Sequence, residues 1–198
     1  SKGPLFKKAW AERYKGIIEY RPKHTLIDVD AATNTLKFEF NDDVKAQVLN
    51  VLPPMRAGNI AHETGLTTAN KRWCEVDFLT FESKAQPGIH VLGDAIQIAP
   101  QMPKSGHMAN QHGKSCAAAV LALLAGRAPN PLPIYNNTCY SFVSDEDVIH
   151  VSSVHRYEPS QKTMMPVAGA GGVSAAANEL EGRIANAWAR NIWADSFK

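Results

Sequence analysis

The stretch Gly88-Ile-His-Val-Leu-Gly-Asp-Ala95 decides the fold prediction for this chain. A short apolar run that stops at Gly-Asp-Ala predicts a buried strand that places the Asp94 carboxylate at its carboxyl end. Ligands of an open α/β sheet bind at this end of the strands, where a following helix, here expected beyond Pro103, offers free N–H groups. Asp94 is therefore expected to accept hydrogen bonds from the hydroxyl groups of a ligand. A plain turn at a strand end is the alternative.

The length and composition are those of an ordinary globular protein. The chain has 198 residues, of which 44% are hydrophobic and 20% charged, so it can bury a sizeable core. Its 21 basic and 19 acidic residues are spread without long runs and give a net charge of +2. This balance provides no electrostatic surface for nucleic acid or an anionic membrane. No run of about 18 apolar residues occurs, so we expect no membrane span.

The cysteines are Cys74, Cys116 and Cys139, and they lie far apart without a C-x-x-C motif. Their spacing predicts neither a structural zinc site nor a dense disulfide framework, and we expect no metal site. The chain lacks an initiator Met, and residues 1–20 contain no export signal. We therefore expect a chain that has been processed or cut.

The first part of the chain predicts a helix followed by short strands. Residues 1–16 have helical apolar spacing, and residues 43–52 predict a buried strand that ends at Pro53-Pro54. A loop with a short helix is expected over 55–65. The remaining strands are predicted at 17–20, 24–29, 35–40, 73–77 and 79–81.

The second part begins where the composition turns polar, around residues 83–87. Residues 104–126 predict the best helix, whose buried face consists mainly of small side chains. Three prolines make a stiff linker to a final unit. That unit is predicted to contain strands at 140–143, 148–151 and 154–157, a flexible loop at 168–172 and an amphipathic helix at 175–198.

Three segments together point to a family: Gly93-Asp94-Ala95, Pro103 to Asn110, and Tyr135-Asn-Asn-Thr-Cys-Tyr140. With them the chain resembles the flavin-binding subunit of flavocytochrome c sulfide dehydrogenase. This family belongs, with the sulfide:quinone oxidoreductases, to the flavoproteins with two dinucleotide-binding domains. The resemblance extends over essentially the whole chain and implies an α/β fold, α+β in detail.

The chain departs from the family pattern in its extent. The Gly-x-Gly-x-x-Gly turn that holds the FAD pyrophosphate is missing from this sequence. The chain is therefore expected to be the carboxyl-terminal half of a longer subunit. We predict that residues 1–82 belong to the NAD-like second domain, 83–130 to the returning part of the FAD domain, and 131–198 to a terminal antiparallel-sheet and helix interface domain.

The resemblance also implies a set of flavin-binding residues. Asp94 resembles the aspartate that hydrogen-bonds the FAD ribitol, and residues 104–110 would present backbone N–H groups to the pyrimidine edge of the flavin. Met108 could equally be core, and Pro53 and Pro54 could simply end a strand. We interpret the helix histidines His107 and His112 as structural rather than as proton carriers. The predicted cofactor-binding residues are Gly93, Asp94, Ala95, Lys104, Met108, Ala109 and Pro54.

Cys139 and Trp193 carry the redox part of the resemblance. Cys139 resembles one of two cysteines that form a disulfide beside the flavin and would be the catalytic residue, with its partner outside this sequence. The alternative is a buried free thiol, which we expect for Cys74 and Cys116. Trp193 resembles an electron-transfer tryptophan between the flavin site and a cytochrome haem. It could equally form the apolar seam of its helix.

The resemblance implies a periplasmic enzyme that uses FAD to oxidise sulfide and passes electrons to a c-type cytochrome subunit. This chain alone is expected to bind FAD weakly or not at all and to be inactive. The charged residues of the last helix favour a protein partner over lipid. The alternatives are a sulfide:quinone or NADH-dependent flavoprotein oxidoreductase, and a noncatalytic module that docks a cytochrome.

Overall fold

The computed structural model describes residues 1–197 and combines helices with antiparallel sheets, so the α+β prediction is confirmed. The chain divides into two compact units. One unit is Ala9–Met55, and the other joins Ser1–Lys8 to the chain from Arg56 onward. The division into three domains made from the sequence stays a prediction.

The smaller unit contains a three-stranded antiparallel sheet. Its strands are β1 (Leu26–Asp30), β2 (Thr35–Phe38) and β3 (Val44–Lys45), paired in the order β1-β2-β3. The β1–β2 turn forms because Asp30 Oδ1 accepts the N–H groups of Ala32 and Thr33. The strands expected at 24–29 and 35–40 are confirmed as β1 and β2.

Two strand predictions in this unit are wrong. The buried strand expected over 43–52 is only two residues long, and the side chains of Val48 and Leu52 are 83% and 90% exposed. Residues 17–20 form a turn and irregular chain instead of a strand. Apolar composition alone suggested strands there, but pairing of β3 with β2 covers only Val44 and Lys45. The predicted first helix is confirmed as α1, Gly3–Arg13.

The segment from Arg56 to Pro103 is built of turns and single bridges around one short helix, α2 (Asn59–Glu63). The strands expected at 73–77, 79–81 and 88–95 are therefore wrong. Asp77 Oδ1 accepts the N–H groups of two following residues and turns the chain. The apolar side chains are nevertheless buried: Val76, Phe78, Phe81 and Ile96 belong to the main core cluster.

The third helix, α3, runs from Gly106 to Leu124 and agrees with its prediction within two residues at each end. Ser105 caps it by accepting the Met108 N–H through its side chain. The buried face consists of Met108, His112, Cys116 and Ala119, which recur at helical spacing. This face packs into the main core and so fixes the position of the first turn of α3.

The last part of the chain forms a sheet and a helix. The sheet contains β4 (Ile134–Phe142), β5 (Val148–Glu158) and β6 (Thr163–Val173), antiparallel in that order. The fourth helix, α4, runs from Glu179 to Ser196. The antiparallel sheet and the terminal helix were both predicted, although the prediction for residue 198 lies outside the described residues.

Three details of this sheet differ from the prediction. β4 begins at Ile134, six residues before the strand expected at 140–143. The two strands expected at 148–151 and 154–157 are one strand, β5, and the loop expected at 168–172 lies within β6. Glycines normally indicate a loop, but a Cβ at Gly171 would lie only 2.5 Å from the Ser152 carbonyl oxygen. Glycine is needed at this position because β5 and β6 approach closely.

Candidate functional site

A cavity of about 560 Å³ lies where the first turn of α3, the middle of β4 and the carboxyl-terminal half of α4 meet. We call it the α3–β4–α4 cavity. Backbone and polar groups come from α3, whereas α4 supplies mainly aromatic and aliphatic side chains. The lining residues are Ser105, Gly106, His107, Asn110, Thr138, Cys139, Tyr140, Trp188, Ala189, Ile192, Trp193, Ser196 and Phe197.

The amino end of α3 faces this cavity with backbone donors. The first N–H groups of a helix have no acceptor within the helix, and they carry a partial positive charge. The Ser105 side chain accepts one of them, the Met108 N–H. Gly106 and His107, which line the cavity, carry N–H groups without an acceptor inside the helix. This wall of the cavity can bind a ligand edge that carries or gains negative charge.

Hydrogen bonds fix β4 against α3. Ser105 Oγ donates to Asn137 Oδ1 at 2.6 Å, and the backbone N–H of Thr138 donates to His107 Nδ1 at 3.1 Å. Gln111 bonds both the N–H and the carbonyl of Asn136. The residue that follows Thr138 is Cys139, so these bonds hold its backbone beside the amino end of α3.

His107 lines the cavity as a neutral imidazole. Burial lowers the pKa of this imidazole, and its Nδ1 accepts the Thr138 N–H, which assigns the proton to Nε2. The ring lies edge-on to Trp188, with centroids 5.4 Å apart and an angle of 74°. His107 thus combines a hydrogen bond to β4 with an edge contact to Trp188 of α4.

The Gly-Asp-Ala segment forms a 3-10 turn against α3. Gly93 has φ +68°, and a Cβ there would lie 3.1 Å from the Ala109 Cβ. Lys104 Nζ donates to the carbonyl oxygens of Asp94 and Ile96, each at 2.7 Å. The turn is therefore clamped from two sides, while the Asp94 side chain stays exposed.

Lys104 is itself held by an aromatic ring. Its Nζ lies 3.6 Å from the centre of the Trp73 ring, a favourable cation–π distance. Burial lowers the pKa of this ammonium group, and the neighbouring Asp94 carboxylate partly opposes that effect. The Lys104 side chain thus acts on the backbone of the turn, whereas the sequence prediction assigned flavin binding to backbone N–H groups from residue 104 onward.

The three thiols occupy different environments. Cys139 is exposed, whereas Cys74 and Cys116 are 0% and 7% exposed. Burial raises the pKa of both buried thiols, which makes them poor nucleophiles. The expectation that Cys74 and Cys116 are core residues is confirmed. Cys139 is the only cysteine among residues 1–197 that reagents can reach readily.

The structure brings several predicted site residues together. Cys139 and Trp193 both line the α3–β4–α4 cavity, beside the first turn of α3. The turn that contains Gly93, Asp94 and Ala95 packs on the same helix through Ala109. The turn and the thiol thus lie near the amino-terminal turns of one helix. The residues that line the cavity do not include Gly93, Asp94, Ala95, Lys104 or Ala109.

Two further predicted residues, Met108 and Pro54, do not line the cavity. The Met108 side chain is 1% exposed and belongs to the main core, so only its backbone lies near the cavity. Pro54 is an exposed residue in irregular chain of the smaller unit. Flavin contact by either residue stays a prediction.

Sequence reasoning missed three residues at this site. Tyr140 and Trp188 line the cavity, and their rings contact each other with centroids 5.7 Å apart and an angle of 56°. Tyr140 ends a segment quoted for the family and Trp188 lies in the predicted terminal helix, so their aromatic character was the available signal. Lys2 contacts Cys139 from a position 137 residues away in sequence, and no pattern indicates that contact.

Two classes of site find no support in the described part of the chain. Over residues 1–197, His, Cys, Asp and Glu side chains do not gather in any group of three that could hold a metal ion. Among the helices of the same residues, none has the length and apolarity required to cross a membrane.

Comparison with known protein families gives two matches. Residues 131–197 match the flavin-binding domain of flavocytochrome c sulphide dehydrogenase. Residues 1–53 match the central domain of the flavoprotein chain of the same sulfide dehydrogenase. Together the matches cover more than half of the chain. The chain belongs to the flavoprotein subunit family of flavocytochrome c sulfide dehydrogenase.

Members of the flavocytochrome c sulfide dehydrogenase family are flavoprotein oxidoreductases, and the name implies FAD in the full subunit and a cytochrome partner. The residues of this chain fit a flavin. The exposed Asp94 carboxylate can accept hydroxyl groups, and the Gly106 and His107 N–H groups can face a ring edge. Gly93 allows the turn to approach α3 closely.

Proposed function

We propose that this chain forms part of a sulfide dehydrogenase in which FAD and a redox disulfide that includes Cys139 oxidise sulfide and pass electrons to a c-type cytochrome. The observation that carries the proposal is the exposure of Cys139 in a cavity that also contains the amino end of α3. A thiol and backbone donors thus face one space. This is the arrangement that electron transfer between a sulfur and a flavin requires.

The amino-terminal end of α3 and the Gly93–Ala95 turn would hold the cofactor. The Asp94 carboxylate would accept hydrogen bonds from the ribitol hydroxyl groups, and the Gly106 and His107 N–H groups would face the pyrimidine edge. When bound, FAD accepts an electron pair at its isoalloxazine ring. The N–H groups stabilise the negative charge that collects there, because helix dipoles favour anions at this end.

Cys139 would act as one sulfur of a disulfide whose second cysteine lies outside this sequence. Hydrosulfide attacks one sulfur, the S–S bond breaks, and the attacked sulfur becomes a persulfide while the other leaves as a thiolate. In this step the sulfide sulfur loses two electrons, and the disulfide gains them. The exposure of Cys139 supports it, since attack needs access along the S–S axis.

The last helix would supply the route toward the cytochrome. Trp193 lines the cavity and is 62% exposed, so it can contact both the site and a partner protein. The helix also exposes Leu180 and Ile184. We propose that the cytochrome docks near α4 and that the enzyme works in the periplasm, where a disulfide persists in an oxidising environment.

The exposed apolar residues of α4 also support a second candidate, a noncatalytic module that only recruits the cytochrome.

One assay separates the proposal from this module and from a flavoprotein that uses quinone or NADH. Sulfide or NADH is added to the complete subunit, which is purified with FAD. Reduction of its flavin, of cytochrome c and of a soluble quinone is then measured. The proposal predicts sulfide-dependent reduction of cytochrome c. Rapid reduction by NADH, preference for quinone, or inactivity with sulfide would overturn it.

A further inference from the structure

The exposed thiol at the α3–β4–α4 cavity has a cationic neighbour. Lys2 Nζ lies 3.1 Å from Cys139 Sγ. It also donates to the Cys139 carbonyl oxygen at 3.0 Å and to Ser141 Oγ at 2.5 Å. All these residues belong to the same compact unit. Three bonds to one short stretch of β4 hold the ammonium group at the sulfur.

The strand explains why Lys2 meets both residues. Cys139 and Ser141 are two positions apart on β4, so their side chains lie on the same face. The ammonium group of Lys2 sits against this face and has donors enough for both side chains and one carbonyl. Lys2 is partly buried, which shields its charge from the solvent more than at a free surface position.

We propose that Lys2 is the cationic partner of Cys139 and stabilises negative charge on its sulfur. This inference rests on the proposed role of Cys139 in sulfide oxidation. In that role the Cys139 sulfur is either the released thiolate or the carrier of the persulfide anion once the disulfide opens, and the attacking hydrosulfide is also an anion. A fixed ammonium group at 3.1 Å attracts both. Nothing in the residue pattern of the sequence assigns this role to Lys2.

The acidic residues Glu181 and Asp195 of α4 are engaged with other partners. Cys139 pairs with Val151 across the sheet, and neither neighbour of Cys139 on β4 is acidic. Glu181 is bound to Ser174 and His150, and Asp195 to Lys114 and Asn110. Lys2 is therefore the charged group in direct contact with the sulfur.

The test is alkylation of Cys139 in this chain without flavin. Iodoacetamide is neutral and iodoacetate is an anion, and each is reacted with the wild type and with Lys2→Met, Lys2→Arg and Lys8→Met. Lys8 is an exposed lysine of α1, the helix that directly follows Lys2, and serves as the matched control. Modification of Cys139 is followed by peptide mass spectrometry at neutral pH and low salt.

Lys2→Met is expected to slow the reaction with iodoacetamide roughly two- to fivefold, the size that an exposed ion pair can supply. The loss with iodoacetate should be larger, since the anion also loses its attraction. Lys2→Arg should retain most of the rate, Lys8→Met should not change it, and high salt should reduce the difference.

Equal rates for the wild type and Lys2→Met with both reagents would overturn the inference. Equal losses with both reagents and no rescue by arginine would also overturn it, since they would indicate a packing effect. Because the assay contains no flavin, such a failure would leave the proposed sulfide oxidation standing. Loss of the sulfide reaction in the complete subunit alongside normal alkylation would instead overturn the proposed function.

Discussion

The Nδ1 atom of His107 accepts the backbone N–H of Thr138 at 3.1 Å and so joins the first turn of α3 to the strand that carries the exposed thiol. The bond requires a neutral imidazole with its proton on Nε2. Burial, which lowers the pKa of His107, favours that form. Two elements far apart in sequence thereby share one fixed geometry at the cavity.

Replacement of His107 by phenylalanine should destabilise the chain. The ring contact with Trp188 can persist, but the Thr138 N–H loses its acceptor, which costs about 1–2 kcal/mol of the free energy of unfolding. His107→Asn offers an oxygen acceptor in place of Nδ1 and is expected to recover part of that loss. Urea denaturation of the three proteins measures the difference. Equal stability of His107→Phe and the wild type would contradict the assigned bond.

A second histidine of α3 should make stability depend on pH. His112 is 2% exposed and contacts the rings of Phe81 and Tyr135. Burial lowers its pKa from 6.5 to about 4. Between these values the unfolded chain binds a proton that the folded chain does not. The free energy of unfolding therefore falls as the pH decreases from about 6.5 to 4, by on the order of 3 kcal/mol.

His112→Phe is the variant that isolates this effect. It keeps an aromatic ring in contact with Phe81 and Tyr135 but carries no titratable group. Burial also lowers the pKa of His107 and His155, so part of the pH dependence should remain. Denaturation midpoints at pH 7, 6, 5 and 4 test the prediction. An unchanged pH profile in His112→Phe would show that this imidazole does not titrate as its burial requires.

Gly93 should be needed for the close contact between the Gly-Asp-Ala turn and α3. Alanine at this position combines the strain of φ +68° with a Cβ 3.1 Å from the Ala109 Cβ. The turn must shift, and Asp94 with it. In the complete subunit we expect Gly93→Ala to weaken FAD retention at least tenfold, as measured by cofactor loss during dialysis.

The matched control for this prediction is Gly88→Ala. Gly88 also has a positive φ, +77°, but a Cβ there would meet no atom within 4 Å. Both variants carry the backbone strain, and only Gly93→Ala carries the contact. If the two variants lose FAD equally, the packing of the turn on α3 does not position the cofactor.

The element that was predicted best is the one whose pattern repeats over many residues. The small buried face of α3 continues over several turns, so local sequence is sufficient. β4 was predicted only at its carboxyl end, over 140–143, since the polar residues 136–138 in its first half suggested no strand. The strand expected at 88–95 failed because residues 88–92 make a single bridge, from His90 to Glu82, and Ile89 and Leu92 are 44% and 37% exposed. The glycines of 168–172 suggested a loop, whereas close approach of β5 explains them.

Only part of the candidate site could be predicted from the sequence. Asp94, Cys139 and Trp193 follow from short motifs that the family shares, and their roles stay predictions. The contact of Lys2 with Cys139 depends on how the chain ends meet in space. The clamp of Lys104 on two carbonyl oxygens likewise depends on tertiary packing. Neither contact follows from a repeating sequence pattern, so neither could be predicted from composition or spacing.

The central claim is that Cys139 is the sulfur that passes electrons from sulfide to the flavin. It is tested by stopped-flow absorbance of the complete subunit, in which sulfide is mixed with the wild type, Cys139→Ser and the control Cys116→Ser. Dithionite reduction shows whether each variant still contains a reducible flavin. The account predicts that sulfide bleaches the flavin of the wild type and of Cys116→Ser, and leaves Cys139→Ser oxidised although dithionite reduces it. Bleaching of Cys139→Ser by sulfide at the wild-type rate would contradict the account.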